Sequence, residues 1–169
     1  NTALIIRLQF ILQMNFLNAN MENNILFQPN PMTIKIPPPQ KILIIYNPIS
    51  SAGNTEAMAC KLETELMFHG KTVEVRTSEK KMKGYMRISD DIAASDLVVV
   101  VGGDGTIRKL LDIINKTATP IYAIPGGNES LFARFYEMSA SAEDLLQSIT
   151  SGTCLQQFYG LISGKGIQG

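Results

Sequence analysis

A chain of 169 residues with 45% hydrophobic and 18% charged content can bury one sizeable core, with room for extra segments at its ends. Fifteen basic residues balance fifteen acidic ones, which leaves no electrostatic footprint for nucleic acid or an anionic membrane. Two cysteines far apart in sequence, Cys60 and Cys154, are expected as buried reduced thiols, not as a disulfide, and no protein-held metal is expected.

The chain starts at Asn1. Leu4, Leu8, Ile11, Leu12 and Phe16 follow a spacing that predicts one face of a helix. Arg7, Gln9 and Gln13 interrupt the run, which is too short to span a bilayer and lacks the small-residue cleavage site of a signal peptide. A membrane-surface helix is the alternative, but almost no basic face accompanies it. "QPNPMTIKIPPPQ" predicts an extended, proline-rich linker. Residues 1–40 are therefore expected as an extension and linker, with Met32 one place where a domain could start.

From Lys41 the pattern is regular. "KILIIYN" predicts a strand buried on both faces, "PISSAGNTE" a turn, and Thr55 to Gly70 an amphipathic helix stopped by glycine. "KTVEVRT" is a second strand, Lys83 to Ser95 a helix, "DLVVVV" a third strand, and Gly105 to Lys116 a helix. "TPIYAIP" is a fourth strand. "ESLFARFYEM" and "SAEDLLQSIT" are helices, the second capped by Ser139 or Ser141, and Thr153 to Ser163 reads as a strand. The alternation predicts an α/β fold: three layers, α/β/α, around a mostly parallel sheet. Ligands of such sheets bind beyond the carboxyl ends of the strands, where Ser50, Ser51, Gly53, Gly102 to Gly105 and Gly126 to Asn128 gather.

Glycine after a strand permits positive φ and lets backbone N–H groups approach a ligand, and a helix starting at once attracts phosphate. "GGDGT" offers both, plus the Thr106 hydroxyl. A carboxylate beside a phosphate cradle repels the ligand unless it serves a metal, a hydroxyl or a proton transfer, so Asp104 is the informative residue. The plain alternative is a tight turn with Asp104 as helix N-cap. "IPGGNESLFARFY" repeats the pattern one strand later; Asn128 or Ser130 could be a cap, and Leu131, Phe132 and Phe135 are expected as core contacts. "GGDGTI" fails G-x-G-x-x-G in every register, and "GKT" at Gly70 has Glu65 where a P-loop needs glycine. His69 is expected as a helix-end or surface residue, and the sequons at Asn115 and Asn128 as accidental.

Together "YNPISSAGN", "VVVVGGDGT" and "IPGGNESLFAR", in this order and spacing, resemble the catalytic domain of diacylglycerol kinases and their lipid-kinase relatives. NAD kinases and phosphofructokinases are more distant members of that superfamily. The resemblance covers about Lys41 to Lys165 and implies the nucleotide-binding half of an ATP-dependent lipid kinase. It implies that Asn47 and Ser51 lie by the phosphates and Thr77 near the nucleotide. Gly102, Gly103, Asp104, Gly105, Thr106, Ile107 and Arg108 would form the central phosphate loop. Gly127 and Asn128 would complete the site, with Asn128 where the family usually has threonine. Asp104 is the catalytic candidate, organising the phosphoryl donor and its magnesium, so ATP and Mg2+ are the implied cofactors.

The chain departs from the family in three places. Arg108 and Lys109 replace the usual carboxylate, "GNES" replaces "GTxN", and Ser51 stands where glycine is expected. The family's second, β-rich domain carries the general base and the lipid pocket. Residues 41–152 are expected as the nucleotide domain and 153–169 as the start of a truncated second domain, a fragment inactive alone. The implied partner is a diacylglycerol or long-chain-base lipid, met through transient membrane contact, with no nucleic acid; a homodimer is one option. The expected location is cytoplasmic. A NAD-kinase-like enzyme and a non-catalytic nucleotide-binding module are the alternatives.

Overall fold

Runs of isoleucine and valine at residues 42–45 and 98–101 place the centre of the sheet. A strand covered on both faces by helices has no solvent side, so its sequence need not alternate. The computed structural model describes residues 5–15, 32–50, 53–78, 88–164 and 167–168. Its strands are β1 (Ile5–Asn15), β2 (Met32–Lys35), β3 (Lys41–Tyr46), β4 (Thr72–Thr77), β5 (Leu97–Gly102), β6 (Ile121–Pro125), β7 (Thr153–Gly164) and β8 (Ile167–Gln168). The helices are α1 (Thr55–Phe68), α2 (Ser89–Ala93), α3 (Asp104–Thr117), α4 (Leu131–Phe135) and α5 (Ala142–Ser151). The part of the predicted 83–95 helix before residue 88 lies outside the described residues.

The sheet order is β2-β7-β1-β6-β5-β3-β4, with β8 on β7. β6, β5, β3 and β4 are mutually parallel, and β3 and β5 form the fully covered centre. From that centre the chain winds outward in opposite directions, β3 to β4 and β5 to β6. Right-handed crossovers then put the connecting helices on opposite faces. Accordingly α1 packs on β3, β4 and β5 and meets α5, whereas α3 packs on β5 and β1 and meets α2. This is the expected three-layer α/β/α fold, and the winding reverses between β3 and β5, the place where sheets of this kind bind ligands. β4 is the edge: Val73 and Val75 pack on the core, while exposed Arg76 pairs with Glu74 at 2.9 Å and with Asp91 of α2 at 3.0 Å.

The first segment differs from its prediction. Residues 5–15 form a strand, not a helix, paired in parallel with β7 from Ile5↔Cys154 to Asn15↔Ser163, with a shift between Phe10 and Leu12. Isoleucine and phenylalanine are strong strand formers, and a twelve-residue partner strand outweighs a helical spacing read locally. β1 also meets β6, antiparallel, at Ile6↔Ile121. The cysteines divide: Cys154 is buried and free as expected, but free Cys60 is exposed on α1. No helix among the described residues is long and apolar enough to cross a membrane.

Candidate functional site

β3, β5 and β6 end level with one another, with Tyr46 opposite Val101 and Gly102 opposite Pro125. The chain thus leaves the sheet three times at one end: over residues 47–54, at Gly103, and over residues 126–130. Thr77, at the end of β4, pairs with Tyr46 and is exposed beside the first turn. Desolvation, followed by the Glu56 carboxylate that shares its hydrogen bond, pushes the Tyr46 phenol above its ordinary value.

In the first turn the Asn47 N–H donates to the Val101 carbonyl at 3.0 Å, and its Oδ1 accepts from the Ile49 N–H at 3.2 Å. The Asn47 carbonyl accepts from the Ser50 N–H at 3.1 Å and from Thr55 Oγ1 at 2.6 Å, which fixes the start of α1. Gly53, at φ +72°, supplies the left-handed step before that helix. The Ser50 hydroxyl donates to the Gly126 carbonyl, tying the first turn to the third. Ser51 lies outside the described residues.

The glycines of the second and third turns are needed for contact, not for positive φ. The positive-φ glycines among the described residues are Gly53, Gly70 and Gly152. A Cβ on Gly126 would stand 3.0 Å from Cα and N of Gly102 and from Thr55 Cγ2; one on Gly127 would stand 3.0 Å from Cα of Gly103. On Gly102 it would meet Thr106 Oγ1 at 3.1 Å and Asn47 Cβ at 3.5 Å. The turns therefore pack backbone on backbone. Gly105 is different: a Cβ there would meet nothing within 4 Å.

α3 starts at Asp104 with Gly103 as N-cap, which has no side chain to bond the first N–H groups of the helix. Asp104 does not cap its own helix. Its Oδ2 accepts from the Leu131 N–H and its Oδ1 from the Phe132 N–H, both at 2.9 Å, so it caps α4 instead. Ser130, the residue preceding α4, is left-handed (φ 45°) and 5% exposed, and its hydroxyl bonds Gly127 rather than α4. The candidate caps Asn128 and Ser130 thus give way to a carboxylate from another turn, whereas Ser141, one of the two candidates there, caps α5 by accepting from the Asp144 N–H at 3.3 Å.

The other candidates spread out. Thr106 and Ile107 are buried, Ile107 within the core. Arg108 is exposed on α3, four residues and about one turn beyond Asp104. Asn128 and Glu129 are exposed on the third turn. Leu131 and Phe135 are 57% and 78% exposed, contrary to the expected core contacts, while Phe132 packs on the core and Ala133 is buried. A helix of five residues has one buried side, and 131 and 135, four apart, share the other. His69 ends α1 as expected, its Nδ1 2.9 Å from the Glu65 carbonyl. It lines a groove of about 1150 Å3 between α1 and α5, with Lys61, Glu65 and Leu146, that shares no residue with the glycine turns. Sequence reasoning missed the roles of Thr55 and Ser50, because their partners are backbone carbonyls that carry no side-chain signature.

Parallel strands that end in backbone-lined turns, with an uncapped helix start among them, define an α/β domain of the class that binds ligands at the carboxyl edge of its sheet. Residues 41–159 match the diacylglycerol kinase catalytic domain, and the chain belongs to that family. It is 25% identical over 139 residues to a protein of Streptococcus pneumoniae named "Putative lipid kinase", a match covering 75% of this chain and 47% of that protein. A solved diacylglycerol kinase of Bacillus anthracis superposes with TM-score 0.54 at 21% identity, over 66% of this chain and 40% of that one. A second structure from the same organism gives 0.53 at 20%, over 66% and 42%. At these identities the structures establish the fold. The chain spans less than half the length of each.

Proposed function

We propose that this chain provides the nucleotide-binding part of an ATP-dependent lipid kinase that transfers the γ-phosphoryl group to a hydroxyl of a diacylglycerol-like or long-chain-base lipid. The observation that carries the reading is Gly105. It stands in the first turn of an α-helix, where alanine has the higher helix propensity, yet among the described residues neither φ nor packing requires glycine. A ligand against the start of α3 would account for it, and membership of a kinase family makes ATP the ligand we propose.

On this reading the N–H groups at the start of α3 hold phosphate oxygens, and Arg108 pairs with them from one turn further along. Asn47, Ser51, Thr77, Gly127 and Asn128 border the nucleotide, and Asp104 organises the donor side. On this reading a Mg2+ would arrive on the triphosphate and keep several of its waters. When bound, the ion would offset phosphate charge. In the reaction the lipid oxygen bonds to the γ-phosphorus, the bond to the β–γ bridging oxygen breaks, and ADP leaves. The hydroxyl proton passes to a base that we place, with the lipid pocket, in a second domain of the whole protein. We place the protein in the cytoplasm, touching membrane through its substrate.

Incubation of the whole protein with γ-labelled ATP, Mg2+ and vesicles containing diacylglycerol is expected to yield labelled phosphatidate. Arg108 and Lys109, standing where a carboxylate is usual, favour the second reading of a non-catalytic nucleotide module. ATP binding without labelled lipid would select that reading, and no ATP binding would reject both.

A further inference from the structure

The carboxylate of Asp104 is expected to serve the nucleotide, but its two oxygens are directed at protein. Each accepts one backbone N–H at 2.9 Å, from Leu131 and Phe132, 27 and 28 residues further along the chain. Those N–H groups open α4, a five-residue helix too short to persist by itself. Its flanking Ser130 gives it no side-chain cap, so the carboxylate of Asp104 supplies what the local sequence does not. Among the described residues, a second side chain from outside the turn before α4 ties it down, the Ser50 hydroxyl on the Gly126 carbonyl. Between these tethers Gly126 and Gly127 press against Gly102 and Gly103.

We infer that Asp104 is a positioning residue: it clamps the third turn, with exposed Asn128 and Glu129, against the start of α3 and acts on the ligand through that turn. The inference rests on the nucleotide reading only for its effect on binding; the clamp itself is a property of the protein. Two consequences follow from the geometry. The start of α4 already holds a carboxylate, which leaves the start of α3 for phosphate. Both carboxylate oxygens are engaged by backbone N–H groups, so loss of the clamp is expected to weaken nucleotide binding to the same degree with and without magnesium. A carboxylate acting as a magnesium ligand would give the opposite pattern, a loss confined to magnesium-loaded nucleotide.

Hydrogen exchange on the whole unmodified protein is the first test. Leu131 and Phe132 N–H groups are expected to be protected, although first-turn groups of so short a helix otherwise exchange freely; exchange at the unprotected rate overturns the clamp. In Asp104→Asn one oxygen becomes an NH2 group facing a backbone donor. Exchange at the two positions is then expected to rise about tenfold or more, the effect of losing one charge-assisted hydrogen bond, with β5 unchanged. Affinity for ATP, measured by calorimetry in Mg2+ and again in EDTA, is expected to fall by the same factor in both. Ser50→Ala, which frees the same turn from its other side without touching a carboxylate, is expected to reproduce that magnesium-independent loss. An affinity loss for Asp104→Asn seen only in Mg2+ overturns the inference. ATP binding absent from the unmodified protein refutes the nucleotide reading instead, and the exchange results then decide the clamp.

Discussion

Gly102 and Gly126 touch backbone to backbone, since a Cβ on Gly126 would stand 3.0 Å from both Cα and N of Gly102. Backbone cannot rotate aside as a long side chain can, so one methyl group here must move a turn. Gly126→Ala is expected to lose about 1–3 kcal/mol of stability, the usual result of overpacking. Urea unfolding measures this, and a midpoint unchanged from the parent would show that the turns are looser than this contact requires. ATP affinity should fall as well, because the displaced turn is the one held by Asp104 and Ser50.

Gly105 predicts the opposite pairing of effects. Its Cβ direction is open and its φ is not positive, so alanine fits without strain. Gly105→Ala should raise stability by up to about 1 kcal/mol through helix propensity and weaken ATP binding severalfold by placing a methyl group over the start of α3. Thermal unfolding and calorimetry on the same sample test both halves. A more stable protein with unaltered ATP affinity would remove the nucleotide from this end of α3.

Tyr122 sets an alkaline limit. Its ring is fully buried in β6, and its oxygen accepts from the Ser139 N–H at 3.2 Å. Burial, partly countered by that hydrogen bond, raises the phenol above its ordinary value of 10.0. Above pH 10 the unfolded chain releases this proton while the folded chain keeps it, so stability is intact below that pH and declines as pH rises through the folded value. Tyr122→Phe should cost about 1 kcal/mol near neutrality, for the lost acceptor, and flatten the decline above pH 10. Denaturation curves from pH 7 to 11 test it; an equal slope in both proteins would assign the decline to other groups.

Much of the architecture was readable because it is local. β3 and β5 announce themselves as unbroken apolar runs, the helix stop at Gly70 as a glycine, and the three turns as glycine clusters after strands. The unreadable parts depend on partners distant in sequence. Residues 5–15 carry a helical spacing, but their strand partner begins at residue 153. The cap of α4 comes from Asp104, across an intervening helix and strand, so neither Asn128 nor Ser130 could reveal it. Sequence alone suggests positive φ and ligand approach as the reasons for the glycines, whereas at Gly102, Gly126 and Gly127 the missing side chain serves contact between turns.

β1 stands between β6 and β7, joining the parallel strands to the antiparallel group β7, β2 and β8. A shortened protein begun at Lys41, where family similarity starts, would lack both β1 and β2. The Ile121 end of β6 would become a bare sheet margin, and β7 would lose its strand pairing to the rest of the sheet. Such margins recruit strands from other molecules, so trimming to the homologous region leaves a stickier protein.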